Sequence, residues 1–338
     1  MIDVKKDKKF IYTIGIITSL IIITFLVSLN MGSLKIGVID VIKTFLGQGS
    51  RAHEIALFRL RLPRIVIGIL IGTALAVAGA ILQGVTKNDL ADSGILGINS
   101  GASLFVVAYI YFMNGNVYDG VSNFTVFTMP IVALSGALFG AFLIYILAWK
   151  NGINSSRLLL VGIGINTAFT SLLTIFQLKF TTQEFNRVLA WTSGSIWGTN
   201  WKYVMAVLPF ILIFMGITLY KSRYLDILNL GDEVATGLGA DVEKERRRLI
   251  IYAVILAGVA TSVAGSIAFL GLVSPHIARR LVGPKHKRLI PTSALIGALI
   301  LLIADTISRN LLAPMEIPVG IVISIIGVPY FIYLMLAD

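Results

Sequence analysis

The chain has 338 residues, 57% of them hydrophobic and 13% charged, with a mean hydropathy of +0.89 and a formal net charge of +11. A soluble fold cannot hide that much apolar surface, so a bilayer has to act as the solvent. The absence of cysteine excludes disulfides, thiolate metal sites and a lipid-modified N-terminal cysteine, and the basic excess is first of all a marker of cytoplasmic loops rather than of nucleic acid binding.

The first element follows KKDKK (Lys5–Lys9) and runs from Phe10 to Leu29. It has the basic start of a signal peptide, but it is too long and no small-residue cleavage site follows, so it reads as a retained span. Eight more apolar runs follow: Ile65–Leu82, Ile95–Met113, Phe124–Trp149, Leu158–Leu178, Tyr203–Tyr220, Leu249–Leu272, Leu289–Ile307 and Ile317–Leu336. Each is near the length of about 20 residues that a helix needs to cross hydrocarbon, and helices keep every backbone polar group paired there. No repeat of 20 to 50 residues is visible. The small-residue stretches TALAVAGA (Thr73–Ala80), VGIGINTA (Val161–Ala168) and VAGSIA (Val263–Ala268) are predicted to let helix backbones approach closely.

SPHIARRLVG (Ser274–Gly283) decides the topology. If it does not cross, Lys and Arg divide fourteen and fourteen between the two sides. If it crosses as a short helix broken from its predecessor near Gly271 and Pro275, the division becomes eighteen and ten. The positive-inside rule then selects ten spans with both termini cytoplasmic. In that arrangement the outer charges include Lys35, Arg187 and the three arginines of FRLRLPR (Phe58–Arg64) at the mouth of the second span. They either snorkel toward lipid phosphate or form a socket for an acidic partner.

Ionisable groups inside the spans, which ion-coupled carriers need, are almost absent: Asp305, His276 and Glu316 form no recognisable relay. Asp305 reads as an interhelical hydrogen-bonding group. Phosphate-loop, zinc-protease and nucleophile-elbow motifs are absent, so neither catalytic nor metal-ligating residues are assigned, and any energy for uphill transport comes from another subunit. The longest inner loop, residues 221–248, places Ile227, Leu230, Val234 and Leu238 at helical spacing. Asp232 and Glu233 fall in a first turn, Gly237 and Gly239 supply stops, and Asp241 caps a second short helix running to Arg246–Arg248. Such a pair of helices either docks into a cytosolic partner or lies on the headgroups.

Two long stretches, RLPRIVIGILIGTALAVAGAILQGVTKNDLADSGILGINSGAS (Arg61–Ser103) and IAFLGLVSPHIARRLVGPKHKRLIPTSALIGALILLIADTISRNLLAPMEIPVGIVISIIGVPYFIYLML (Ile267–Leu336), resemble the FecCD family of ABC importer permeases. SSRLLLVGIGI (Ser155–Ile165) and LNLGDEVATGLGA (Leu228–Ala240) fit between them in the family's order. The resemblance implies an all-α type II ABC importer permease fold with ten transmembrane helices, residues 1–338 forming one permease domain in the bacterial cytoplasmic membrane. It implies carriage of ferric siderophores, or alternatively haem or vitamin B12; the rival reading from another class is an ion-coupled secondary transporter. The implied partners are a second permease subunit, identical or homologous, an extracytoplasmic solute-binding lipoprotein, and a cytosolic ATPase dimer that uses ATP, leaving no cofactor in this chain. By the resemblance, Arg61, Arg64 and Arg309 meet carboxylates of the binding protein. Leu230, Gly231, Asp232, Glu233, Val234, Ala235, Leu238 and Gly239 form the coupling element to the ATPase. Ser155 and Ser156 match a cytoplasmic gate, with a plain helix N-cap as the other reading of that serine pair.

Overall fold

The computed structural model describes residues 2–32, 36–94, 97–113, 123–150, 155–313 and 315–337, without the side chains of 2–6, 123–127, 155, 187, 334, 335 and 337. Lys35 and Ile95, and the side chains of Lys5, Lys6, Ser155 and Arg187, lie outside the described residues. Fifteen α-helices are described, and no extended strand occurs among the described residues.

Helix α1 (Ile2–Asn30) is followed by the short α2 (Val38–Phe45) and α3 (Arg51–Glu54), and then by a π-helical stretch over Ile55–Arg61 that runs directly into α4 (Leu62–Thr86). Pro63 sits in the first turn of α4, where its missing N–H costs nothing. Helices α5 (Ile98–Phe112), α6 (Asn123–Ala148), α7 (Ser155–Gln177), α8 (Thr182–Thr192) and α9 (Trp201–Tyr220) follow. The inner loop forms α10 (Ser222–Asn229) and α11 (Asp232–Gly237), and the chain ends with α12 (Val242–Ala264), α13 (Leu270–Val282), α14 (His286–Asn310) and α15 (Val319–Ala337). Seven helical stretches are long and apolar enough to cross a membrane; α5 and part of α15 are shorter apolar helices.

Helix α4 is the hub. It is buried over most of its length and packs on α14, α12, α13 and α9. Its small residues make this possible: a Cβ on Gly79 would lie 1.8 Å from the carbonyl oxygen of Gly271 in α13, and one on Gly72 would lie 2.4 Å from that of Gly297 in α14. A Cβ on Gly265, in the third small-residue stretch, would lie 1.9 Å from the Trp191 carbonyl oxygen. Gly164, in VGIGINTA, has no neighbour within 4 Å of a Cβ among the described residues, so that glycine makes no close approach to them.

The predicted helix break is displaced. The chain leaves helical geometry at residues 265–269, with positive φ at Gly265 and Phe269, and α13 then passes through Gly271 and Pro275 without interruption. Pro275 cannot donate to the carbonyl four residues earlier. That carbonyl, on Gly271, and its neighbour on Leu272 lie 3.5 and 3.3 Å from the Gln83 side-chain amide of α4. The irregular segment is satisfied by protein: Asn99 donates to the Ile267 carbonyl and accepts from Thr261, and the Ser195 N–H bonds the Ala264 carbonyl at 2.7 Å. Non-helical backbone at membrane depth needs such burial.

Two ion pairs and a histidine–carboxylate contact mark one end of the bundle. Arg288 reaches Asp7 at 2.6 Å, Arg279 reaches Asp89, and His286 Nδ1 lies 2.7 Å from Asp226. The starts of α1, α12 and α14 and the ends of α4 and α13 therefore share the end that carries α10 and α11.

Candidate functional site

The first group of predicted site residues lies at the α10–α11 end. Helix α10 buries Leu225 and Leu228, and the chain then turns at Gly231 (φ +110) into α11 and at Gly239 (φ +81) out of it. Both turns need a backbone conformation that side-chain-bearing residues avoid. The predicted first helix, with Asp232 and Glu233 in its first turn, is α11, while Ile227 from the same periodicity lies in α10 on the other side of Gly231. The predicted second short helix is not separate: Asp241 does cap it, accepting from the Lys244 N–H, but the helix is the start of α12 and continues unbroken into the span.

Ala235 of α11 is buried, while Leu230 before the Gly231 turn, Val234 in α11 and Leu238 at its C-terminal end are 61, 50 and 62% exposed; Val234 and Leu238 lie one turn apart. Glu233 stands beside Asp232 in the first turn. Asp232 ties this helix to the bundle, 2.8 Å from Lys87 at the end of α4 and 2.9 Å from Arg246 of α12, which also holds Glu243 at 2.8 Å. Burial would raise the Asp232 pKa, but hydrogen bonds and charge from Lys87 and Arg246 outweigh it and hold the carboxyl below its ordinary value. A depressed carboxylate contributes its stabilisation above the ordinary Asp pKa of about 3.9 and loses it as pH falls through the lower folded value. The clamp therefore persists across neutral pH. Asp232→Asn is expected to release it at neutral pH, read as faster amide hydrogen exchange over residues 230–240; exchange unchanged from the native chain would contradict the clamp.

At the opposite end, the structure brings Arg61, Arg64 and Arg309 together. All three are buried, at 6 to 8% exposure. Arg64 Nε lies 2.8 Å from Asp305 Oδ1, and its Nη1 lies 2.8 Å from Glu316 Oε2. Arg309 Nε is 3.2 Å from Asp305 Oδ2 and its guanidinium also donates to Ser28; Arg61 donates to the Leu29 carbonyl. The ends of α1 and α14, the start of α4 and the connection before α15 are joined by these groups. With the exposed Arg59 they line a depression of about 780 Å³. The sequence reading missed the pairing. Asp305, predicted to link helices by hydrogen bonding, is an interhelical ion-pair centre, and Glu316 stands beside it across Arg64. Ser156 is exposed at the start of α7. Among the described residues no three His, Asp or Glu groups are placed to hold a metal.

Residues 20–337 match the model of the FecCD transport family. The chain belongs to that family. It is 54% identical over 331 residues to the iron(3+)-hydroxamate import system permease protein FhuG of Bacillus subtilis, covering 98% of each chain. It is 41% identical to the iron-uptake system permease protein FeuC of the same organism, over 94% of this chain and 95% of that one. It is 37% identical to the hemin transport system permease protein HmuU of Yersinia pestis, over 96 and 95%. Among solved structures, a metal-chelate type ABC transporter in an inward-facing conformation superposes with a TM-score of 0.83 at 27% identity, covering 96% of this chain and 99% of that one. This FecCD chain is accordingly an all-helical membrane permease subunit of an ABC importer. Its Arg59–Arg64 and Asp305–Glu316 clusters lie at one end and its α10–α11 element at the other.

Proposed function

We propose that this FecCD permease, acting as one domain over residues 1–338, carries ferric siderophores of the hydroxamate class across the bacterial cytoplasmic membrane. The observation that supports this most is the near end-to-end likeness, at 54% identity, to an iron(3+)-hydroxamate permease. Both termini and the α10–α11 loop face the cytoplasm in ten spans, α13 being the short eighth. The exposed side chains of Leu230, Val234 and Leu238, on either side of the Gly231 turn, enter a groove on an ATPase dimer, and Gly231, Asp232, Glu233, Ala235 and Gly239 fix the angle at which they are presented. ATP is hydrolysed by those subunits, and this chain performs no covalent step and holds no cofactor. Closure of the ATPase pair moves α11, and through the Asp232 clamp to Lys87 and Arg246 moves α4 and α12.

A second permease subunit completes the pathway, with Ser155 and Ser156 closing its inner end without a charge that would trap cargo. A solute-binding lipoprotein delivers the chelate at the arginine depression. Arginine suits that task because its fork binds carboxylates bidentately.

The test is uptake of radioactive iron into proteoliposomes holding the permease, its ATPase and its binding protein. Ferric trihydroxamate should enter with ATP present and without a proton gradient; entry of haemin in its place would reassign the substrate. Val234→Asp and Gly239→Pro are each expected to cut ATP-driven uptake at least tenfold while the protein still inserts. Uptake within twofold of the native level in both would refute the coupling role.

A further inference from the structure

We propose that Glu316 is an exchangeable occupant of Arg64, held there until a carboxylate of the docking protein takes its place. The inference rests on the docking reading given above and concerns how that site is regulated. The two carboxylates on Arg64 differ in kind. Asp305 is fully buried and shared with Arg309, so it cannot leave without stranding two guanidinium groups. The Glu316 side chain is one-third exposed, lies on the connection between α14 and α15, and lines the same depression as Arg59, Arg61, Arg64 and Arg309.

Among the described residues, the four arginines lining that depression have Glu316 on its wall and the buried Asp305 behind it as carboxylates, and the surplus positive charge attracts an acidic visitor. The Arg64 Nη1 donor is nevertheless already engaged at 2.8 Å. An incoming carboxylate that takes the Nη1 side of Arg64 therefore displaces Glu316 into water. Displacement conserves charge at Arg64, so the exchange costs little, yet it subtracts the Glu316 contact from the net affinity. A docking protein held this way binds specifically and still releases after each cycle. Exchange also frees the chain next to α15, whose start is tied through Ile317 N–H to the Ser308 carbonyl and Gly320 N–H to that of Gly194.

The experiment measures the affinity of the solute-binding protein that supports uptake in reconstituted vesicles, used in soluble form, for the assembled transporter in nanodiscs. Glu316→Gln should lower the Kd about fivefold, chiefly through slower dissociation, since the internal competitor has lost its charge. Glu316→Asp, which draws the carboxylate back by one methylene, should tighten binding in the same direction and guards against a folding defect in the first variant. In an Arg64→Met background the Glu316→Gln change should have no effect. An unchanged or higher Kd in both Glu316 variants overturns the exchange. If Arg61→Glu and Arg309→Glu also leave the Kd unaltered, the docking reading falls with it. If those two weaken binding while the Glu316 variants do not tighten it, the exchange alone is refuted.

Discussion

Asp305→Ala is expected to destabilise the protein by about 3–5 kcal/mol, the cost of leaving buried charge without its partner. The carboxylate has no solvent exposure and bridges Arg64 and Arg309, themselves only 8% exposed. Removing it leaves two like charges side by side, with Glu316 on Arg64 and the Ser28 hydroxyl on Arg309 as their remaining side-chain partners among the described residues. The loss should appear as a large drop in the detergent melting temperature and poor accumulation in the membrane. The double variant Asp305→Asn with Arg309→Leu should recover part of it, because one charge leaves together with its counter-charge. A melting temperature equal to that of the native chain in Asp305→Ala would show that the ion pairs do not hold the ends of α4 and α14 together.

Gly79→Ala should be comparably damaging although it adds one methyl group to an apolar helix. That methyl would stand 1.8 Å from a carbonyl oxygen and 2.6 Å from the Cα of Gly271. Those are backbone atoms, so no side chain can turn aside, and α13 would have to back away from α4. Ordinary overpacking costs about 1–3 kcal/mol; here the separation also withdraws the Gln83 amide from the Gly271 and Leu272 carbonyls. Transport should be abolished. Gly216→Ala in α9, where a Cβ meets nothing within 4 Å, should stay within about 0.5 kcal/mol of the native stability. Equal behaviour of the two variants in melting and uptake would refute the role given to the α4–α13 contact.

The same two sites show where sequence reading reaches and where it stops. TALAVAGA announces that α4 is approached closely, because only small residues let helices touch without a hydrophobic drive between them. It does not say that Gly79 meets Gly271. VGIGINTA carries the same announcement, yet Gly164 makes no close approach among the described residues. The break before α13 was legible as an interruption but not in position: Gly271 and Pro275 were its visible signals, and a glutamine on another helix lets the chain remain helical through both. At the α10–α11 end the caps and stops were legible because they are local. That the Asp241-capped helix runs on as α12 was not, since the boundary between loop and span is set by the depth at which the bundle sits.

The sequence by itself determined the helical class, the places of the seven described helices long and apolar enough to cross a membrane, and the family likeness, because hydrocarbon demands long uncharged runs and intrahelical hydrogen bonding whatever the tertiary arrangement. Only the tertiary structure decided what the arginines do. Arg64 and Asp305 are 241 positions apart and Arg309 and Ser28 are 281 apart, and a pairing at that range depends on which helix ends the packing brings side by side. Charge in a low-dielectric interior must find its opposite, but the rule names no partner, and the geometry of α1, α4 and α14 supplied it.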